Sequence, residues 1–154
     1  IDYNHDRVLD ERWSFAPSGQ PLKVEMDRNL DREIDYVARY DKRGQIESAT
    51  ADDDFDGVFE TRLRFRNGNV EMSESDYDGN GVPETRSNYE AGVLDNVETI
   101  EATRGTASRV EHFKNGQRAH DDVDTDNDGR LDTRITYTPR GDVATKQAIP
   151  RESK

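Results

Sequence analysis

The sequence predicts an all-β chain of tandem β-hairpins, repeated every 24 to 25 residues with an acid-rich loop between successive hairpins. Three observations lead there. A loop start recurs at Asp2, Asp27, Asp52, Asp76, Ile100 and Asp124, and thirteen residues after each stands an aromatic: Phe15, Tyr40, Phe65, Tyr89, Phe113 and Tyr137. A glycine follows each aromatic, four residues on at Gly19, Gly44 and Gly141 and three on at Gly68, Gly92 and Gly116. The flanking segments are rich in Thr, aromatic and β-branched residues, with no helix cap and no 3.6-residue apolar stripe.

These marks divide the chain into a single array of six repeats, 1–26, 27–51, 52–75, 76–99, 100–123 and 124–150, with a tail at 151–154. Each repeat reads as loop, strand, turn, strand. Outgoing strands are clearest at Thr61-Arg62-Leu63-Arg64-Phe65 and Thr133-Arg134-Ile135-Thr136-Tyr137; returning strands such as Asn69-Val70-Glu71-Met72 and Asp142-Val143-Ala144 alternate apolar with polar. Asn67-Gly68 and Asn115-Gly116 are signals for a type I′ turn, whose central residues both need positive φ; the longer spacings predict a four-residue or bulged turn. Repeats this short cannot form four-stranded propeller blades, which take about 40 residues. Hairpins stacked as an elongated solenoid, or joined edge to edge in a long twisted sheet, fit the length.

Composition asks what holds such a structure together. Only 31% of the 154 residues are hydrophobic and mean hydropathy is -1.13, close to a disordered chain. Burial at about 25 cal/mol per Å² hardly offsets the cost of ordering this backbone, and there is no cysteine to form a disulfide. The loops supply an answer. In Asp124-Thr125-Asp126-Asn127-Asp128-Gly129-Arg130-Leu131-Asp132, side-chain oxygens recur at positions 1, 3, 5 and 9, glycine stands at 6 and an apolar residue at 8. Six to eight oxygens at about 2.3 to 2.6 Å are what calcium requires, and alternate acids on a curled segment can provide them.

Repeats three, four and six carry the full pattern: Asp52, Asp54, Asp56 and Glu60; Asp76, Asp78, Asn80 and Glu84; Asp124, Asp126, Asp128 and Asp132. Repeats one and two keep the oxygens, at Asp2, Asn4, Asp6 and Asp10 and at Asp27, Asn29, Asp31 and Asp35, but place Arg7 and Arg32 where glycine is expected. Positive φ at a non-glycine residue costs on the order of 1 kcal/mol, so these sites are expected to bind more weakly. Backbone carbonyls at position 7, from Val8, Glu33, Val58, Val82 and Arg130, would add a fifth ligand, by analogy with calcium loops generally. Repeat five has Ile100, Ala102, Arg104 and Ser108 at the ligand positions and is expected to bind nothing, with Arg104 standing in for a cation. Up to five Ca²⁺ are thus expected. Zinc is disfavoured because cysteine is absent and His5, His112 and His120 share no repeat position; magnesium uses fewer protein ligands.

The Asp-x-Asp-x-Asp-Gly-x-x-Asp/Glu loop resembles those of thrombospondin type 3 repeats, dockerins and integrin-type propellers, and the first part of an EF-hand. It departs from the EF-hand in having Leu63, Ser87 or Ile135 at position 12 and no flanking helices. Tyr40-Asp41-Lys42-Arg43-Gly44 and its counterparts resemble the tyrosine-aspartate repeats of Rhs-type shells. The combined repeat is similar to tandem calcium-binding repeats of bacterial cell-surface proteins, and that resemblance implies an exported, calcium-rich setting: extracellular, cell-surface or periplasmic.

The formal charge of -12 argues against nucleic acid, which calls for clustered Lys and Arg, and no apolar run is long enough to span a membrane. The chain opens on Ile1 with a loop beginning at once at Asp2, which reads as an excised or mature piece with further repeats elsewhere. The recurrent aromatic reads as a stacking rung along the array. Arg12, Arg62, Arg86 and Arg134 at position 11 read as buttresses of nearby carboxylates or as solvated charges, and Trp13 as an end contact or docking anchor. Metal ligation explains the carboxylate spacing better than acid-base chemistry, so no enzyme is expected. The function that follows is a calcium-stabilised exported structural, spacer or adhesion domain. The alternatives are a calcium-dependent module recognising a glycan or a protein, and a fragment of a toxin shell. A calcium sensor is disfavoured, since Met26 and Met72 are the only methionines.

Overall fold

The computed structural model describes residues 1–150; the tail expected at 151–154 lies outside the described residues. Strands and loops alone make up this part of the chain. The strands are β1 (Glu11–Phe15), β2 (Pro21–Met26), β3 (Tyr36–Tyr40), β4 (Ile46–Ala51), β5 (Thr61–Arg66), β6 (Asn69–Ser75), β7 (Thr85–Glu90), β8 (Val93–Glu101), β9 (Thr106–Lys114), β10 (Gln117–Val123), β11 (Thr133–Tyr137) and β12 (Val143–Ala148). Two strands fall in each expected repeat. No helix among the described residues is long and apolar enough to cross a membrane.

The chain divides into two halves, Ile1–Gly79 and the remainder from Asn80. In the first half β1 to β6 lie side by side in chain order, each antiparallel to the next. In the second half β7 to β12 do the same. Strictly sequential antiparallel pairing is what short hairpin and loop connections permit, since a parallel neighbour would need a crossover of a dozen residues or more.

Period-two alternation sets which side chains face inward. Along β5, Thr61, Leu63 and Phe65 are partly buried while Arg62, Arg64 and Arg66 are exposed. Cross-strand register then aligns Val24 with Ala38, Ala38 with Ala49 and Ala49 with Leu63. Val24, Ala38 and Ala49 are buried, and Met26, Tyr36, Tyr40, Ile46, Leu63 and Phe65 pack against them. Trp13 stacks on Phe15 and lies 5.6 Å from the Tyr40 ring, so it is a contact within this apolar row. Alanines at the centre of the row bury little area each, and the core of the first half is correspondingly small.

The second half fills the same face differently. Asp121 stands opposite Glu111 on one side and Ile135 on the other, and its side chain is wholly buried. Arg118 donates to it from Nε at 2.6 Å and from Nη2, the Tyr137 hydroxyl donates at 2.7 Å, and Arg109 stands 3.5 Å away. A buried charge costs several kcal/mol unless its lone pairs are met, and here they are. Burial, and then the Asp121 bond, push the Tyr137 phenol above its ordinary value.

The turns match their glycines. Asn67 and Gly68 have φ of 53° and 79°, Asn115 and Gly116 53° and 73°, and Ala91 and Gly92 50° and 82°, as a type I′ turn requires. In the longer turns Gly19, Gly44 and Gly141 donate their N–H to Ala16, Asp41 and Thr138 at 2.9 Å each. A register shift stands beside Phe15, Tyr40 and Tyr137, where a four-residue or bulged turn was expected, and also beside Phe65 and Tyr89, where it was not, so the recurrent aromatic sits at a bulge.

Candidate metal centres

Each acid-rich loop is a ladder of carboxylate or amide oxygens accepting backbone N–H groups a few residues on. In loop three, Asp52 Oδ1 accepts from Phe55 at 2.7 Å and Asp56 at 3.2 Å, and its Oδ2 accepts from Gly57 at 2.8 Å. Asp54 accepts from Asp56 at 3.3 Å, Asp56 from Val58 at 2.9 Å, and Glu60 Oε2 reaches back to Asp53 N–H at 3.0 Å. Those that reach two residues on are Asx turns, and all the bonds to positions 1, 3 and 5 suit a short side chain whose oxygen lies three bonds from Cα, which is why Asp and Asn hold those positions.

Every acid-rich loop reuses parts of the ladder. Asp124 accepts from Asp128 at 3.2 Å and Gly129 at 2.8 Å, Asp126 from Asp128 at 3.2 Å, Asp128 from Arg130 at 2.9 Å, and Asp132 from Thr125 at 3.1 Å. In loop two Asp27 accepts from Leu30 and Arg32 at 2.7 Å, Asn29 from Asp31 at 3.1 Å, Asp31 from Glu33 at 2.8 Å and Asp35 from Arg28 at 2.7 Å. In loop one Asp2 accepts from Arg7 at 3.0 Å, Asn4 from Asp6 and Asp6 from Val8 at 2.9 Å, and Asp10 from Tyr3 at 2.6 Å. The Glu33 and Val8 bonds hold the Asp31 and Asp6 carboxyls below their ordinary range. The fourth loop crosses from one half to the other: Asp76 is buried and Asp78 exposed in the first, while in the second Asn80 accepts from Val82 at 2.8 Å and Glu84 is half-buried.

The ladder curls the backbone through two left-handed residues. Position 6 has φ of 92° at Gly57, 89° at Gly81 and 90° at Gly129, and the same conformation is imposed on Arg7 at 74° and Arg32 at 84°. Position 4 is left-handed too, at His5, Leu30, Phe55, Gly79 and Asn127, with φ of 57° to 66°. The arginines therefore bear the strain that glycine avoids. Replacing Arg7 by Gly is expected to raise the melting temperature by about 2 °C in chelator, roughly 0.5 to 1 kcal/mol, because relief of left-handed strain outweighs the added freedom of the unfolded chain. A differential scanning calorimetry trace in which Arg7→Gly melts below the parent would contradict it.

One oxygen of several acids remains for an ion. Donor atoms of Asp52, Asp54, Asp56 and Glu60 lie within 4.8 Å of one another, as do those of Asp124, Asp126 and Asp132. Glu60 Oε1 is buried and has no hydrogen-bond partner, and neither have Asp10 Oδ1 and Asp2 Oδ1. A buried oxygen left without a donor costs about 1 to 3 kcal/mol, so these atoms fit a cation better than they fit a dry loop. Calcium's preference for several hard oxygens, charged and backbone, matches this donor set.

Loops one and two differ by more than the arginine at position 6. Among the described residues their acids form no such three-membered group. In loop two the Arg28 guanidinium donates to Asp35 Oδ1 at 2.6 Å and to the Asp52 carbonyl at 2.6 Å, tying the second loop to the third. Arg32 Nε donates to Asp6 Oδ2 at 2.8 Å, so a residue read from sequence as a misfit turn also ties loop two to loop one. Arg28 escaped sequence reasoning because its partners are 7 and 24 residues away and no repeat position marks it.

The fifth repeat has no loop at all. β8 runs through Ile100, a short turn ends at Gly105, and β9 follows, so both strands reach nine residues. Arg104 does not occupy a cation position: it pairs with Glu101 at 3.2 Å and donates to the Asn127 carbonyl of loop six. The Thr103 hydroxyl and N–H, with Arg104, hold the Glu101 carboxyl down to about 2. The position 11 arginines divide. Arg62 stands 3.8 Å from loop residue Asp76, whereas Arg86 and Arg134 pair with the cross-strand acids Glu98 and Asp122.

A second regularity links successive repeats. The N–H at position 1 donates to the position 9 carbonyl of the repeat before: Asp27 to Asp10 at 2.7 Å, Asp52 to Asp35 at 2.8 Å, Asp76 to Glu60 at 3.0 Å, Ile100 to Glu84 at 2.8 Å and Asp124 to Ser108 at 2.9 Å. The bond survives where the loop does not. Ile149 makes it once more, to Asp132 at 2.7 Å.

No protein-family model matches the chain, and no curated protein matches it. Among solved structures, the accessory secretory protein 1, 2 and 3 structure from Streptococcus pneumoniae matches 77% of this chain at 16% identity with a TM-score of 0.37. The glycosylation associate protein complex from Streptococcus agalactiae matches 82% at 12% identity with a TM-score of 0.38. The chain spans 19% and 21% of the length of those chains. Scores this low mark a likeness too loose to bear on function.

Proposed function

We propose that the chain is a calcium-stabilised tandem β-hairpin domain, exported to the cell surface, periplasm or extracellular space, where it serves as a structural, spacer or adhesion segment. The observation that carries this reading is the third loop, in which four carboxylates converge within 4.8 Å and the Glu60 Oε1 oxygen is buried without a donor. Four acids brought together on a thin sheet repel unless a cation joins them. Loops three and six are the stronger sites, and loops one and two the weaker, the second because Arg28 competes for Asp35. Five Ca²⁺ would bring the formal charge from -12 to about -2. Millimolar extracellular calcium fills even modest sites of this kind.

Asp54→Ala tests the assignment. Asp54 is exposed and accepts a single N–H, from Asp56 at 3.3 Å, so its removal subtracts a ligand and little else. Calorimetric titration is expected to show one site weakened at least tenfold and a smaller calcium-induced rise in melting temperature. Asp95→Ala, which removes an exposed carboxylate on β8 bonded to Asn96, leaves both unchanged. Equal effects from the two variants would sink the loop assignment.

A recognition module is the second reading, favoured by the exposure of aromatics within the acid loops: Tyr3, Phe55 and, at 69%, Tyr77. In that version an ion keeps a coordination position for a sugar hydroxyl or a partner's carboxylate, and the aromatics flank it.

A further inference from the structure

We propose that His112, His120 and Asp122 form a binding site for a divalent transition-metal cation of the zinc class, separate from the acid-rich loops. The fold makes this site by pairing β9 with β10. His112 and His120 stand directly opposite each other across that pair, and Asp122, two residues further along β10, shares their face. The imidazole rings are stacked with centroids 4.3 Å apart and planes 16° from parallel. One donor atom from each of the three residues lies within 4.8 Å of the others, and His112 Nε2 stands 3.4 Å from Asp122 Oδ2.

Two nitrogens and one carboxylate oxygen are a donor set for zinc, nickel or copper and a poor one for calcium, which takes oxygens almost alone. Zinc bonds to imidazole nitrogen at about 2.0 to 2.1 Å, so a single ion can touch all three donors after side-chain rotation, with the strands left in place. Arg134 supplies the support that ligating carboxylates commonly have, donating Nε–H to Asp122 Oδ1 at 2.7 Å and Nη2–H to Oδ2 at 2.8 Å. Each carboxylate oxygen has a second lone pair beyond the one that meets Arg134, and Oδ2 lies 3.4 Å from His112 Nε2. The repeat gives no hint of the site, because its ligands come from adjacency of two strands in one repeat and recur in no other.

The test is a zinc titration of the full chain held in millimolar calcium, so that the acid loops are already occupied. One equivalent of zinc is expected to bind, His112→Gln and His120→Gln each to weaken it at least tenfold, and His5→Gln, an exposed control in loop one, to leave it unchanged. Should the strand variants fail to fold, imidazole proton resonances of the parent chain give the answer without them: zinc shifts those of His112 and His120 and spares His5. Zinc affinity indifferent to both strand histidines, resonances that do not move, or zinc displaced by calcium would each overturn the site. A failure of the calcium reading would show instead as no calcium dependence of stability, with zinc binding at the histidines intact.

Discussion

In excess chelator the chain is expected to melt far below the temperature it withstands in millimolar calcium, and to regain that stability when calcium is restored. The first half buries a core of Val24, Ala38 and Ala49, to which larger neighbours add only partial burial. Against it stand loop carboxylates such as Asp52, Asp54, Asp56 and Glu60, whose donor atoms converge within 4.8 Å. Two like charges about 4 Å apart cost about 4 kcal/mol at the effective dielectric near a protein surface. A hydrogen bond of the ladder returns about 1 kcal/mol. An ion at a hundred times its dissociation constant contributes about 2.7 kcal/mol, so several ions together rival the 5 to 15 kcal/mol that a typical domain has in total. Identical spectra and melting temperatures with chelator and with calcium would refute the dependence.

Asp52→Ala is expected to be the most damaging single substitution, costing about 3 kcal/mol even before calcium is added. Asp52 is 3% exposed and accepts N–H groups from Phe55, Asp56 and Gly57, so its loss frees three donors at the tightest part of the curl. It also removes the position 1 ligand, and calcium cannot rescue the variant. Asp54→Ala separates the two roles: in chelator it should unfold in urea at nearly the parent midpoint, and the gap should open only with calcium. If Asp52→Ala and Asp54→Ala were equally stable in chelator, the ladder would not be holding the loop.

The period, the strand pairs and the turns were legible because each depends on residues close in sequence: an aromatic, a glycine a few residues on, and two-residue alternation between. The oxygens at positions 1, 3, 5 and 9 were legible for the same reason, and the structure brings all four together in loop three and those at positions 1, 3 and 9 in loop six, where Asp128 stays outside the group. Contacts made by neighbouring repeats were not. Arg28 capturing the Asp52 carbonyl, Arg32 bridging to Asp6 and Arg104 bridging to Asn127 join residues 23 to 26 apart with no shared repeat position. Nor could sequence mark the left-handed residue at position 4, since Leu30 and Phe55 carry no signal for a conformation the Asp27 and Asp52 ladders impose. Asp121 was invisible because a carboxylate on a strand reads as solvent-facing until Arg118 and Tyr137 are seen to enclose it.

The loopless fifth repeat gives the chain a stretch that asks for no ion. β8 and β9 are its longest strands, joined by a turn whose bonds run from Glu101 to Thr103 and Arg104 and require no cation. When calcium falls, this turn is expected to keep its bonds, so amide hydrogen exchange along β8 and β9 should change less than along β4 and β5, which flank the third acid-rich loop. The repeat without an ion site is thereby the stretch of sheet least answerable to calcium.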